Sequence, residues 1–444
     1  PGLTPTLRFK ALALAIGITG LVACTTPAVD SPSSSAKATA GSAAAEALAG
    51  APSAQAVIAT YVAIAQASYG DALMTARGLS TAIGSFLAAP SEATLNAARE
   101  AWRKARIPYI QTEAFRFGNV AVDEWEPRVN SWPLDEGLID YVADSYGSES
   151  DNNFFYTANI IANPVVDIGG ISVDANNITP NLLAEMLHAI DGVDANVATG
   201  YHAIEFLLWG QDLHGTAPGA GERPWTDYDV ASCTNGNCDR RRAYLAAAMQ
   251  LLVSDLDEIT QSWQTGGEVY EQLMAKGENG GLATMLTGMG SLAYGELAGE
   301  RIRLGLLLHD PEEEQDCFSD NTLWSHYYDV QSIHNVYRGR YTRVDGSVVQ
   351  GASLEAMLRA NAPVEHAEMS ARVESTELAM TALVEQESPY DVLIAAGNSK
   401  GEALINAVVT ALIEETNTIE KIINVLDLQN VSIEGSDSLP AVNQ

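Results

Sequence analysis

Gly200-Tyr201-His202-Ala203-Ile204-Glu205 carries the strongest chemical signal in the chain. On a helix, residues three apart share a face with Cβ atoms roughly 5–6 Å apart, so the His202 imidazole and the Glu205 carboxylate can reach one cation. Thr199 stands where an N-cap would. That puts His202 in the first turn, where the positive end of the helix dipole disfavours imidazolium. Neutral imidazole is the form that ligates metal. An ordinary i,i+3 polar pair on an amphipathic helix has the same spacing. Phe206, Leu207, Leu208 and Trp209 follow directly, so the turn enters a core, where a lone carboxylate is costly. A metal, an arginine or a hydrogen-bond network each compensates it.

The elements that must position this turn read as helical almost throughout. Ala54 to Ala88 is a long Ala-rich apolar stretch, and Ser91 caps a second helix with Leu95, Ala98, Trp102 and Ala105 at three- and four-residue steps. Pro108 should kink or restart that helix, leaving Glu113 among Tyr109, Phe115 and Phe117 beside the break. Residues 118 to 178 are irregular, with short strands or turns around Gly169-Gly170, and Asn181 to Ile190 reads as a helix leading to the 200 turn. Residues 211 to 238 form a Gly/Pro/Asp loop. Leu245, Met249, Leu252, Leu256, Ile259 and Trp263 trace a bundle seam. Further helices are expected over 281–308, 353–361, 364–386 and 401–428, with a polar and aromatic loop region from Asp310 to Gly351 between them.

Fifty-seven acidic against 24 basic residues give a formal charge of -33 over 444 residues. This makes nucleic acid and anionic lipid headgroups poor partners; such an excess would gather cations near the surface, and solubility in a salty or exposed environment explains it equally. Residues 1–24 read as an export signal: Arg8 and Lys10 precede the apolar run Ala11 to Ile18, and Leu21-Val22-Ala23-Cys24 resembles a lipobox. Cys24 would then carry lipid, and the Ser/Ala/Pro/Thr/Gly stretch 25–52 would be a flexible tether. Of the remaining cysteines, Cys233 and Cys238 bracket a turn-rich loop and are a possible disulfide pair, and Cys317 is left odd or pairs with one of them.

Several stretches taken in order resemble the imelysin-like family, the M75 peptidase-like proteins of iron-regulated protein A type. They are Gly200-x-His202-x-x-Glu205 with Phe206-Leu207-Leu208-Trp209-Gly210; Ala101-Trp102-Arg103 leading to Glu113-Ala114-Phe115-Arg116-Phe117-Gly118; and Asn130-Ser131-Trp132-Pro133-Leu134-Asp135. The others are Gly295-Glu296-Leu297-Ala298-Gly299-Glu300-Arg301, and Cys317-Phe318-Ser319-Asp320-Asn321-Thr322 with Asn335-Val336-Tyr337-x-Gly339. The resemblance implies an all-α fold of two helical-bundle domains, here 53–238 and 239–430 with a tail at 431–444, and the His-x-x-Glu turn near their interface. It also implies an exported, often lipid-anchored bacterial protein linked to iron acquisition.

A catalytic zinc site needs three protein ligands, an open water position and a general base. No second motif among the histidines supplies the third ligand. One imidazole with several carboxylates is a harder set suited to iron, with zinc or manganese as other candidates. Glu113, His202 and Glu205 are the expected ligands. Asp135, Arg301, Asp320 and Asn321, which stand in the matching motifs, are expected to orient ligands or neutralise charge. The expectation is an envelope lipoprotein that binds iron or an iron complex and passes it to an uptake-system protein. The alternatives are an envelope metallopeptidase using His202 and Glu205, and a module that binds an organic ligand or a partner protein.

Overall fold

A computed structural model describes residues 50–439, so the expected signal peptide and Cys24, with most of the expected tether, lie outside the described residues. Helix α1 (Ala54–Ala88) opens at Ser53, whose hydroxyl accepts the Ala56 amide. Helix α2 (Glu92–Ile110) opens on a reciprocal capping box between Ser91 and Thr94. Pro108 lies in its last turn, and two residues on the chain leaves the helix for the 3-10 turn Glu113–Phe115. Helix α3 (Gly200–Trp209) carries the His-x-x-Glu turn, and α4 (Cys238–Ser262) carries the seam, whose six apolar residues through Trp263 are all buried. Helix α1 packs along α2 and α4, and α3 fits between α2 and α4.

Helix α5 (Gly277–Ser291) continues into wide π turns over Leu292–Arg303. Helices α6 (Thr322–Arg338), α7 (Pro363–Val384) and α8 (Ser399–Val425) complete a second set: α8 lies on α7 and the π segment, and α6 touches both. The fold is all-α, apart from two antiparallel hairpins among the described residues. They are β1 (Val165–Ile168) with β2 (Ile171–Asp174), turning at Gly169-Gly170 with positive φ at both, and β3 (Arg340–Thr342) with β4 (Val348–Gln350).

The Asp310 to Gly351 region departs from expectation. It is not a loop throughout, because α6 runs through its centre and β3–β4 follow. The buried face of α6 includes Ser325, His326, Asp329, Ser332 and His334 beside Leu323, Val330, Ile333 and Val336. Ser325, Asp329, Ser332 and His334 partner across the interior, and polar residues on the buried face hide the apolar period on which a sequence reading relies. The expected division at 238/239 falls at the first residue of α4, which packs along α1, and the chain from Ala51 on forms one compact unit. The two helix sets meet where α6 packs on α2 and α5 on α1.

Candidate functional site

Helix α3 is held by its first residue. Gly200 has φ +81, and a Cβ there would lie 2.4 Å from the Val129 carbonyl oxygen, so only glycine lets the helix start against that backbone. Thr199 occupies the N-cap position, but its hydroxyl donates to the Arg128 carbonyl at 2.8 Å and does not cap the helix. The Trp102 indole donates to the Tyr201 carbonyl at 3.0 Å, locking α3 to α2.

His202 and Glu205 come together as their spacing predicts: His202 Nδ1 lies 3.1 Å from Glu205 Oε2. The third member is Asp316, whose Oδ1 is 3.8 Å from His202 Nδ1. The three side chains are at most 1% exposed, and one donor atom from each lies within 4.8 Å of the others. The loop before α6 delivers Asp316 and fixes it at several points. Asn321 Nδ2 donates to Asp316 Oδ2 at 2.9 Å, the Ser325 hydroxyl donates to the same oxygen, and the Asp316 amide donates to Thr322 Oγ1. Ser319 from the same loop donates to Glu205 Oε1 through both its amide and its hydroxyl, at 3.0 and 2.7 Å. Arg103 Nη2 holds the loop by donating to the Ser319 carbonyl.

Arg106 completes the ring. Its Nη2 donates to Asp316 Oδ1 at 2.7 Å and its Nη1 to Asn130 Oδ1 at 2.6 Å, while Trp102, Tyr109 and Tyr201 face the guanidinium. Burial drives His202 down to about 3, with Arg106 adding to the shift, so the imidazole is neutral at ordinary pH. Burial, and then Asp316, push the Glu205 carboxyl well above the usual range. Burial also acts to raise Asp316, but Arg106 and the hydrogen bonds from Asn321 and Ser325 outweigh it and hold this carboxylate below its ordinary value. His202 Nε2 is buried and has no hydrogen-bond partner.

Glu113 does not join this group. Its Oε2 accepts from Arg301 Nη2 at 2.7 Å, and Arg301 also binds Asp329 through Nη1 and Glu296 through Nε. The 3-10 turn after Pro108 turns Glu113 toward this buried guanidinium, so its charge is already matched. Asp135 accepts from Asn153 Nδ2 in the irregular region. Asp320 lies with Glu314 and Asp391. Of the four residues expected to orient ligands, Asn321 is the one that touches Asp316 directly. Sequence reasoning missed Asp316, Ser319 and Arg106. Asp316 stands one residue ahead of the matched Cys317 stretch, Ser319 lies inside that stretch, and Arg106 follows Trp102 by one helical turn. Cys233 and Cys238 are joined by a disulfide, and Cys317 is free.

A cleft of about 460 Å³ opens beside the group, lined in part by Asn130, Arg301, Gln315 and Glu126. Asn130 reaches from its wall to Arg106, one residue away from Asp316.

The sequence profile of the imelysin family (Peptidase_M75) matches residues 65–419, and the chain belongs to that family. It is similar to iron-regulated protein A of Synechococcus elongatus, 23% identical over 378 residues, covering 83% of this chain and 82% of that protein. Its fold is similar to that of a Parabacteroides distasonis protein described as an iron-regulated protein A precursor, known from a crystal structure at 2.30 Å. The TM-score is 0.62 at 19% identity, over 85% of this chain and 96% of the other.

Proposed function

We propose that this protein binds a transition-metal cation, iron foremost, on His202, Glu205 and Asp316, and serves iron uptake from the bacterial cell envelope. The observation that carries the reading is the convergence of a neutral imidazole and two carboxyl groups on one buried point. Ligands bound at about 2.0–2.2 Å to one ion lie roughly 3–4 Å apart, and the His202 contacts of 3.1 and 3.8 Å fall in that range. One nitrogen with carboxylate oxygens suits iron or manganese as well as zinc. A bound cation would also supply the positive charge that Glu205 lacks, since Arg106 is committed to Asp316.

The relatives named as iron-regulated favour iron among these metals. Lipidation at Cys24 and the tether 25–52 would place the folded part at a membrane surface, where an uptake-system protein receives the metal. No helix among the described residues is long and apolar enough to cross a membrane. The metallopeptidase reading is weaker. A catalytic metal keeps a position open to substrate, and here every donor side chain is at most 1% exposed.

The test is calorimetric titration of the full chain with Fe(II), Mn(II) and Zn(II), alongside a Glu205→Gln/Asp316→Asn variant whose fold is checked by circular dichroism. One saturable site is expected, weakened in the variant by at least about 100-fold. Equal affinity in the two proteins removes the site, and leaves the group as a hydrogen-bonded network that pins the loop before α6.

A further inference from the structure

A second group of acids is formed by Glu314 and Asp320 of the same loop with Asp391 of the short helix Tyr390–Ile394. Glu314, Asp320 and Asp391 each offer a carboxylate oxygen, and these oxygens lie within 4.8 Å of one another. Glu314 is 1% exposed and Asp391 is fully buried. Glu314 Oε1, Asp320 Oδ1 and both oxygens of Asp391 are buried and no side chain hydrogen-bonds to them, while the Val392 amide approaches Asp391. Among the described residues, no lysine, arginine or histidine forms an ion pair with any of the three, and Arg103 and His214 act on Asp320 only at longer range. Buried carboxyl oxygens are nearly always hydrogen-bonded, because leaving them bare forfeits their hydration. Three that share one space without an ion-pair partner would gain from a cation among them.

We infer that Glu314, Asp320 and Asp391 form a second cation site, all oxygen and separate from the His202 group, that takes a hard divalent ion such as calcium. Oxygen-only donors exclude the softer preference that an imidazole confers. Calcium takes 6–8 oxygens at 2.3–2.6 Å in irregular geometry, so three carboxylates leave places for water on the half-buried Asp320 side. The ion would join the loop of Glu314 and Asp320 to the short helix Tyr390–Ile394, which carries Asp391. Asp316 and Ser319 stand in that same loop, so the clamp also steadies the wall of the His202 group.

The test is thermal unfolding and calorimetry of the full chain with calcium chloride against EGTA, at matched ionic strength. The wild-type melting temperature should rise by about 4 °C at a hundredfold excess over the dissociation constant. Glu314→Gln/Asp391→Asn should melt, without calcium, at or above the calcium-free wild type, because two unpaired acids are gone, and should lose the calcium increment. Asp320→Asn, half-buried and milder, should bind calcium about tenfold more weakly. Glu205→Gln/Asp316→Asn should keep the increment, which separates this site from the transition-metal site. Absence of a calcium response in the wild type, or an undiminished response in Glu314→Gln/Asp391→Asn, overturns the inference.

Discussion

Arg301 is a buried cation that binds three carboxylates at once. Its guanidinium holds Glu113, Asp329 and Glu296 at 2.7 to 2.9 Å, and both it and Glu113 are at most 2% exposed. Removing one side of such a pair leaves the other charge buried alone, which costs about 3–5 kcal/mol. Arg301→Met is therefore expected to lower urea-unfolding stability by about that much. Glu113→Gln keeps a polar group beside the guanidinium and should cost about 1–3 kcal/mol, with metal affinity unchanged, since Glu113 is not in the His202 group. A hundredfold loss of metal binding in Glu113→Gln would instead restore Glu113 as a ligand. The His202–Glu205 pair was legible because i,i+3 spacing is a local property of a helix. Asp316 was not, because nothing local marks an acid that a loop carries in from the other helix set. Glu113 misled for the converse reason: a buried acid among aromatics looks the same in sequence whether its partner is a metal or an arginine.

At the scale of elements, α6, α7 and α8 are tied by an ionic contact at His334. Its Nε2 lies 3.2 Å from Glu415 and its Nδ1 3.3 Å from Glu377, while Arg338 also binds Glu377 and the Thr376 hydroxyl donates to Glu415. Burial alone would lower the imidazole, but Glu415 and then Glu377 overcome it and raise His334 from 6.5 to about 9. A raised folded-state value means that the contribution is fully present below about 6.5 and is lost as pH climbs through about 9. It amounts to roughly 3 kcal/mol. Urea midpoints measured from pH 6 to 10 should fall across that window for the wild type and stay nearly flat for His334→Gln; parallel curves would rule the contact out as a source of stability. The same polar interior makes the sequence over α6 read as loop. Helices such as α1, α2 and α4, which bury alanine, leucine and tryptophan at regular steps, declared themselves in sequence. The π turns were equally hidden. They are marked only by Gly295 and Gly299, where a Cβ would come within 2.7 Å of Glu434 and 2.3 Å of Ser436, so their meaning depends on a C-terminal segment far along the chain.

For the whole molecule, the question is whether two helix sets make two folding units. The contact between the two sets of helices is built from long helices of each: α1 and α2 on one side, α5 and α6 on the other. The loop that closes the His202 group belongs to the second set, while Arg103, Arg106 and Glu205, which it binds, belong to the first. Buried polar contacts of this kind have no value until both sets are in place, and their unpaired halves penalise either set alone. Unfolding should therefore be one cooperative transition. Near-ultraviolet circular dichroism, dominated by the tryptophans of the first set, should melt together with far-ultraviolet dichroism and with the calorimetric peak. A fragment of residues 239–430 is expected to fail as a separate domain. It would carry α4 stripped of α1 and α3, exposing Tyr244, Leu245, Ala248, Leu252 and Leu256, all fully buried in the intact chain. Two resolved transitions in the intact protein, or a fragment that melts cooperatively by itself, would mean that the polar bridge between the sets contributes little, and that the His202 group assembles only after each set has folded.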